Sequence, residues 1–268
     1  MRRRLPLAMA AVIEPTQALR GSPYEFNPDP IASLPAPMKN LPTVPAVTLP
    51  ILNSSQRFPV RRVYCVGRNY ADHAKEMGDT GREPPFFFIK PPDTLFECPP
   101  NASVEWPYPS LTDDLHYEVE LVVALHAGGS NLSAQEARTA IWGYGLGLDM
   151  TRRDRQAEMK KQSKPWEIGK SFDHASPIGP LLPADALGGL VTSGEISLSV
   201  NGEQRQRGDF AQMIWNIEEM ICKISEAWTL APGDIIFTGT PAGVGPVVRG
   251  DEIRAKAAGL PDLVLRLG

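Results

Sequence analysis

Glu118 and Glu120 stand one residue apart in the run His116-Tyr117-Glu118-Val119-Glu120-Leu121-Val122-Val123. On a strand, side chains alternate, so Tyr117, Val119, Leu121 and Val123 share one face and both glutamates leave the other. Two carboxylates within about 7 Å of each other repel. A bound divalent cation removes that repulsion, and a solvated strand face tolerates it. The continuation Leu-Val-Val-Ala-Leu is apolar on both faces, which points to burial. Asp149 ends a second buried-looking, Gly-rich run, Trp142 to Leu148, where an unpaired carboxylate costs several kcal/mol. No His or Cys cluster competes for a metal. Three oxygen donors of this kind suit Mg²⁺, Mn²⁺ or Ca²⁺ better than Zn²⁺.

His73 and Glu76 lie three apart on a predicted short helix, Asn69 to Met77, and so share a face. A carboxylate beside an imidazole fixes its tautomer and raises its basicity, which a water-activating base needs. An ordinary surface pair has the same spacing. Only His73, His116, His126 and His174 are available as neutral-pH bases. Arg153 and Gln156 follow Asp149 by four and seven residues on a charged helix predicted from Thr151 to about Gln162. That spacing turns both back toward the carboxylates, and a guanidinium suits a carboxylate bidentately; plain solvation of a polar helix is the alternative. Lys170 is partly buried if Trp166 to Lys170 is a strand, or else it snorkels. Thr240, among Gly239, Gly243 and Gly245, offers a hydroxyl and backbone N–H groups to an anion, or forms a simple Gly-Pro turn. Lys90 ends an apolar strand and can face the same pocket.

The elements that must hold these residues are mostly strands. Arg62–Gly67, Phe86–Lys90, His116–Leu125, Ile141–Leu148, Asp234–Phe237 and Glu252–Ala255 read as strands, and Asn201-Gly202 as the turn of a hairpin from Glu195 to Gln206. Ser133 opens a helix to Ala140 with Glu136 completing a capping box. Met213 to Trp228 is the longest helix expected, with an apolar stripe from Met213 to Ile224. Strands and helices do not alternate regularly, so a mixed, β-rich α+β fold is expected and not a doubly wound sheet. Ten prolines between Pro6 and Pro50 disfavour helix and central strand. Residues 1–57 are therefore expected as an extended arm ahead of a domain at 58–268.

Over 268 residues the chain is 42% hydrophobic and 22% charged, as in ordinary globular proteins. A net charge of −4 argues against a nucleic-acid partner. No apolar run reaches the roughly 18–20 residues of a membrane helix. Met1-Arg2-Arg3-Arg4 and the apolar residues after it have a faint leader shape, but Pro6 interrupts it and Glu14-Pro15 offers no cleavage site, so a loose tail is expected. Cys65, Cys98 and Cys222 form no C-x-x-C pair. That pattern fits buried thiols in a reducing cytoplasm.

Five segments, in order, resemble the fumarylacetoacetate hydrolase family: Val66 to His73, Glu118-Val119-Glu120, Gly147 to Asp154, Lys164 to Asp173, and Gly239 to Gly245. The resemblance spans about residues 60–268. Glu83-Pro84-Pro85-Phe86-Phe87-Phe88 and the Arg-Arg-Asp stretch are most similar to the family's fumarylpyruvate hydrolases. The resemblance implies a mixed β roll or barrel with a few peripheral helices, assembled as a homodimer. It also implies Mg²⁺ or Mn²⁺ held by Glu118, Glu120 and Asp149. His73 with Glu76 is implied to activate water, and Lys170 to hold a substrate oxygen or assist proton transfer. Arg153, Gln156 and Thr240 bind substrate in this reading. The reaction so implied is C–C cleavage of a small anionic acylpyruvate, fumarylpyruvate giving fumarate and pyruvate, with the cation and Lys170 meeting the charge of the leaving enolate. The same chelate would also serve decarboxylation of oxaloacetate or isomerisation of an unsaturated 2-hydroxy acid. Readings of another class are a non-catalytic binder of small acids and a thiol redox protein using Cys65 or Cys98.

Overall fold

The structure is a computed structural model and describes residues 42–70 and 83–268. Its compact unit runs from Pro45 to Gly268. The described strands begin with β1 (Thr48–Pro50), β2 (Arg57–Pro59), β3 (Arg62–Gly67), β4 (Phe86–Lys90), β5 (Leu95–Glu97) and β6 (Ser103–Trp106). They continue with β7 (Leu115–Tyr117), β8 (Val119–Leu125), β9 (Ile141–Leu148), β10 (Thr151–Arg152), β11 (Ser176–Ile178) and β12 (Leu182–Pro183). The last are β13 (Glu195–Val200), β14 (Glu203–Asp209), β15 (Asp234–Phe237), β16 (Gly245–Val247), β17 (Glu252–Ala257) and β18 (Leu263–Leu267). The α-helices among the described residues are α1 (Ala134–Ala140), α2 (Arg153–Lys161), α3 (Glu167–Lys170) and α4 (Ile217–Ala227). None of them is long and apolar enough to cross a membrane.

The expected β-rich α+β architecture is present, with a curled half-barrel sheet at its centre. That sheet is ordered β4-β3-β15-β8-β9-β11-β5, with β12 paired to β9. A second sheet runs β14-β13-β17-β18-β6, and β7 pairs between β10 and β16 in a third. All seven residues of β8 are buried. Val119, Leu121 and Val123 enter the main core with Ile196, Leu198 and Ile253 of the second sheet. Val122 and Ala124 enter a smaller core with Leu49, Phe58 and Phe237. Burial on both faces is why this strand carries no alternation of apolar and polar residues after Glu120. Helix α4 lays Ile217, Met220, Ile221 and Ile224 on the main core, the one-face spacing of an amphipathic helix.

Several expectations change. The strand read from His116 to Leu125 breaks at Glu118, where the chain leaves one sheet for another. Helix α2 does not begin at Thr151: that residue belongs to β10, and α2 starts at Arg153 with no side-chain cap. The Thr151 hydroxyl instead donates to the Asp149 carbonyl and accepts from Lys170. Lys170 ends a short helix, not a strand. Helix α4 starts four residues later than Met213 because Asn216 and Glu219 form a capping box there. Residues 45–57 lie in the compact unit, where β1 pairs antiparallel with β2 and Leu49 is fully buried. The predicted helix from Asn69 to Met77 lies outside the described residues from Ala71 onward.

Candidate metal and substrate site

The break at Glu118 and the end of β9 bring three carboxylates together. Strands β8 and β9 are antiparallel, with Val119 opposite Leu148 and Glu120 opposite Gly147. Asp149, one residue beyond Leu148, therefore lies beside Glu118, and its N–H donates to the Glu118 carbonyl at 2.8 Å. Glu118, Glu120 and Asp149 are 6%, 2% and 1% exposed. One oxygen from each lies within 4.8 Å of the others.

Cations answer two of the three. Lys170 Nζ donates to Glu118 Oε2 at 2.8 Å, Asp149 Oδ2 at 2.7 Å and Thr151 Oγ1 at 2.7 Å. Lys90 is fully buried and places Nζ 2.5 Å from Asp149 Oδ1 while donating to the Ala175 carbonyl at 2.9 Å. Arg153 donates to Glu118 Oε1 at 2.5 Å and to Gln156 Oε1 at 2.7 Å. Among the described residues no Lys or Arg pairs with Glu120, whose Oε2 accepts the Gly239 N–H at 2.8 Å. Burial, followed by the charges of Asp149 and Glu118, holds the Glu120 carboxyl well above the usual range; the Gly239 N–H and Lys170 only offset this. Burial pulls the Lys170 ammonium down, but Asp149 and Glu118 together reverse that and its pKa is raised.

These charges form the floor of a cleft that opens to solvent. Its walls carry Arg68, Phe86, Phe88, Lys160, Trp166 and Thr240. Phe86 and Trp166 meet edge to face at 5.7 Å, and the Arg68 guanidinium stands 5.8 Å from the Phe86 ring centre. The Thr240 hydroxyl accepts from Gln206 Nε2 at 2.8 Å. The structure thus gathers Glu118, Glu120, Asp149, Arg153, Gln156, Lys170 and Thr240 around one cleft. Lys90 sits beneath it. His73 and Glu76 lie outside the described residues. Of the other histidines, His116 engages Asp114, His126 the Thr139 carbonyl and His174 the Phe96 ring.

Arg68, Phe86, Phe88 and Trp166 lie in segments that resemble the family but carry no site role in the sequence reading, and Lys160 and Gln206 lie outside those segments. The alternation of Phe86 and Phe88 on β4 was available as a signal; Gln206 had none, because it stands between exposed residues. The three thiols are free. Burial pushes Cys65 well up and Cys98 to about 12, so neither is a thiolate at neutral pH.

Residues 62–267 match the family described as fumarylacetoacetate (FAA) hydrolase C-terminal. The chain belongs to the fumarylacetoacetate hydrolase family. Oxaloacetate tautomerase YcgM of Escherichia coli (strain K12) is 44% identical over 196 residues, 73% of this chain and 88% of that protein. A fumarylpyruvate hydrolase of Ralstonia sp is 40% identical over 190 residues, 71% of this chain and 96% of the relative. The crystal structure of fumarylpyruvate hydrolase from Pseudomonas aeruginosa in complex with Mn²⁺ and pyruvate is similar at a TM-score of 0.82 and 50% sequence identity, covering 85% of this chain and 99% of that one.

The donor set of this family member fits a divalent cation. It is all oxygen, buried and convergent, as hard cations require. Asp149 Oδ1 is buried without hydrogen-bond geometry to any group among the described residues, although Lys90 Nζ is close. Glu120 lacks a cation among the described residues. Three carboxylates here face three side-chain cations, so a divalent ion would leave the cluster with an excess of two positive charges. A site so charged draws an anionic ligand.

Proposed function

We propose that the protein is a divalent-metal-dependent hydrolase that cleaves fumarylpyruvate, a 1,3-diketo acid, into fumarate and pyruvate. The observation that carries this reading is the buried Glu118–Glu120–Asp149 cluster at the floor of a cleft whose wall is aromatic and cationic. In this reading the three carboxylates hold Mg²⁺ or Mn²⁺, with Ca²⁺ as a further candidate. The ion supplies positive charge to the oxygens of the 2-oxo acid end. Arg153, Gln156 and Thr240 bind and orient that end. Lys170 presents its ammonium to the 2-oxo oxygen and answers the negative charge that grows there as the C–C bond breaks.

His73, oriented by Glu76, takes a proton from the water that attacks the distal carbonyl. None of the other three histidines lines the cleft, which supports that assignment. The electron pair of the broken bond goes to the pyruvate methylene carbon, which gains a proton to become methyl. Phe86, Phe88 and Trp166 flank a flat conjugated acyl group, and Arg68 and Lys160 offer cations to its terminal carboxylate. That wall favours a fumaryl group over an acetyl group. A homodimer and a reducing, cytoplasmic setting complete the proposal, the latter in keeping with the free cysteines.

A second reading, oxaloacetate tautomerisation or decarboxylation, is favoured by the similarity to the oxaloacetate tautomerase. Neither of those reactions needs water activated at an acyl carbonyl. The separating experiment is His73→Ala, assayed with fumarylpyruvate and oxaloacetate. Hydrolysis predicts that the variant loses turnover of fumarylpyruvate by about 10²–10⁴-fold while still binding Mn²⁺ and oxalate. Loss of metal binding as well would contradict the role given to His73. A wild type that consumes only oxaloacetate would replace hydrolysis with the second reading.

A further inference from the structure

Gln206 lies in β14 at a bulge, where pairing with β13 shifts between Leu198 and Ser199. Bulges re-aim side chains. Arg205 and Arg207 are exposed, yet Gln206 is fully buried. A buried amide must satisfy both of its ends. Here Oε1 accepts the Val119 N–H at 3.1 Å, and Nε2 donates to the Pro241 carbonyl at 2.8 Å and to Thr240 Oγ1 at 2.8 Å. A backbone N–H only donates and a carbonyl only accepts, so the amide has a single allowed orientation. Thr240 Oγ1 is therefore an acceptor toward Gln206. Its own proton has no acceptor among the described residues, and Thr240 lines the cleft.

The bulge and this loop are also fitted to each other. A Cβ at Gly243, whose φ is 95°, would lie 2.1 Å from the Arg205 carbonyl oxygen, and one at Gly208 would lie 2.8 Å from Pro241 Cβ. Val119, the other anchor of the amide, is the residue between Glu118 and Glu120.

We propose that Gln206 is a positioning residue that fixes the Thr240 hydroxyl as a hydrogen-bond donor into the cleft, aimed at a substrate carboxylate and held in register with the glutamate pair. The proposal rests on the carboxylate subsite assigned above and not on C–C cleavage.

A double-mutant cycle tests it. Gln206→Met, Thr240→Val and the double variant are loaded with Mn²⁺, and pyruvate affinity is measured by calorimetry. Mn²⁺ affinity is followed separately by electron paramagnetic resonance. Gln206→Asn, which keeps an amide but is one methylene too short to hold Val119 and Thr240 together, serves in the same cycle if Gln206→Met does not fold. The expected result is pyruvate binding weakened about tenfold by the Gln206 change in the Thr240 background, and no further loss once Thr240 is Val. The fumarylpyruvate KM should rise in step, with kcat within about threefold. An equal loss in both backgrounds, or a matching loss of Mn²⁺ affinity, would overturn the proposal and leave Gln206 as scaffold. A wild type that binds Mn²⁺ and pyruvate without cleaving fumarylpyruvate would remove the proposed reaction while leaving the cycle readable.

Discussion

Glu120 is buried among two other carboxylates, receives one backbone N–H and has no side-chain cation among the described residues. In the metal-free protein its folded-state pKa lies above its ordinary value of 4.5. A carboxyl shifted in that direction contributes stability below pH 4.5, and the contribution is lost as pH rises through the folded value. Binding a cation requires the ionised form, so affinity must fall on acidification. Mn²⁺ should therefore bind more tightly at pH 7.5 than at pH 5.5, and its stabilising effect in calorimetric melts should grow over the same interval. Glu120→Gln should lose at least about 100-fold in Mn²⁺ affinity yet melt no lower than wild type without metal at pH 7.5. A metal-free variant that melts well below wild type would show that Glu120 is already compensated in the fold.

At the scale of elements, the site depends on where strands end. Strand β8 starts between two ligands and β9 stops just before the third, so the antiparallel register of the pair sets their spacing. Asn69 joins the end of β3 to the approach of α4 and the end of β15. Its Nδ2 donates to the Trp215 and Thr238 carbonyls, its Oδ1 accepts the Trp215 N–H, and its own carbonyl accepts the Ile214 N–H. Because the residue is fully buried, Asn69→Ala should destabilise the protein by about 2–4 kcal/mol in urea unfolding; a loss under about 1 kcal/mol would contradict this view of the junction.

The strands β3, β4 and β15 were legible at their ends because each is a short run bounded by turns or prolines, and β9 because its Gly-rich run follows directly on the capped helix α1. The hairpin was legible in Asn201-Gly202, both at positive φ of 51° and 82°. The exchange of sheets at Glu118 was not, since periodicity is blind to which sheet a strand joins. Nor was the late start of α4, because Met213 and Ile214 continue the apolar stripe ahead of the Asn216 cap. Strands β1 and β2 were hidden by prolines that an edge ribbon tolerates. The carboxylates were legible because burial and like charge conflict locally. Gln206 was not, and the Phe86–Phe88 run was legible only as a motif, because its meeting with Arg68 and Trp166 arises from contacts distant in sequence.

For the molecule as a whole, a net charge of −4 coexists with a site lined by Arg153 and Lys170, backed by the buried Lys90 and rimmed by Arg68 and Lys160. Local and global charge differ because the cations are concentrated where the carboxylates converge. Such a site suits a small dianion and only when the carboxylate cluster is itself offset. The proposed acyl-group hydrolysis therefore depends on a divalent ion held by Glu118, Glu120 and Asp149. The direct measurement is product formation from fumarylpyruvate by metal-stripped protein, with and without added Mn²⁺, in the wild type and in Glu120→Gln. Fumarate and pyruvate should appear in equal amounts from wild type with Mn²⁺ alone. Full turnover without the ion, undiminished turnover by Glu120→Gln, or no fumarate under any condition would contradict it.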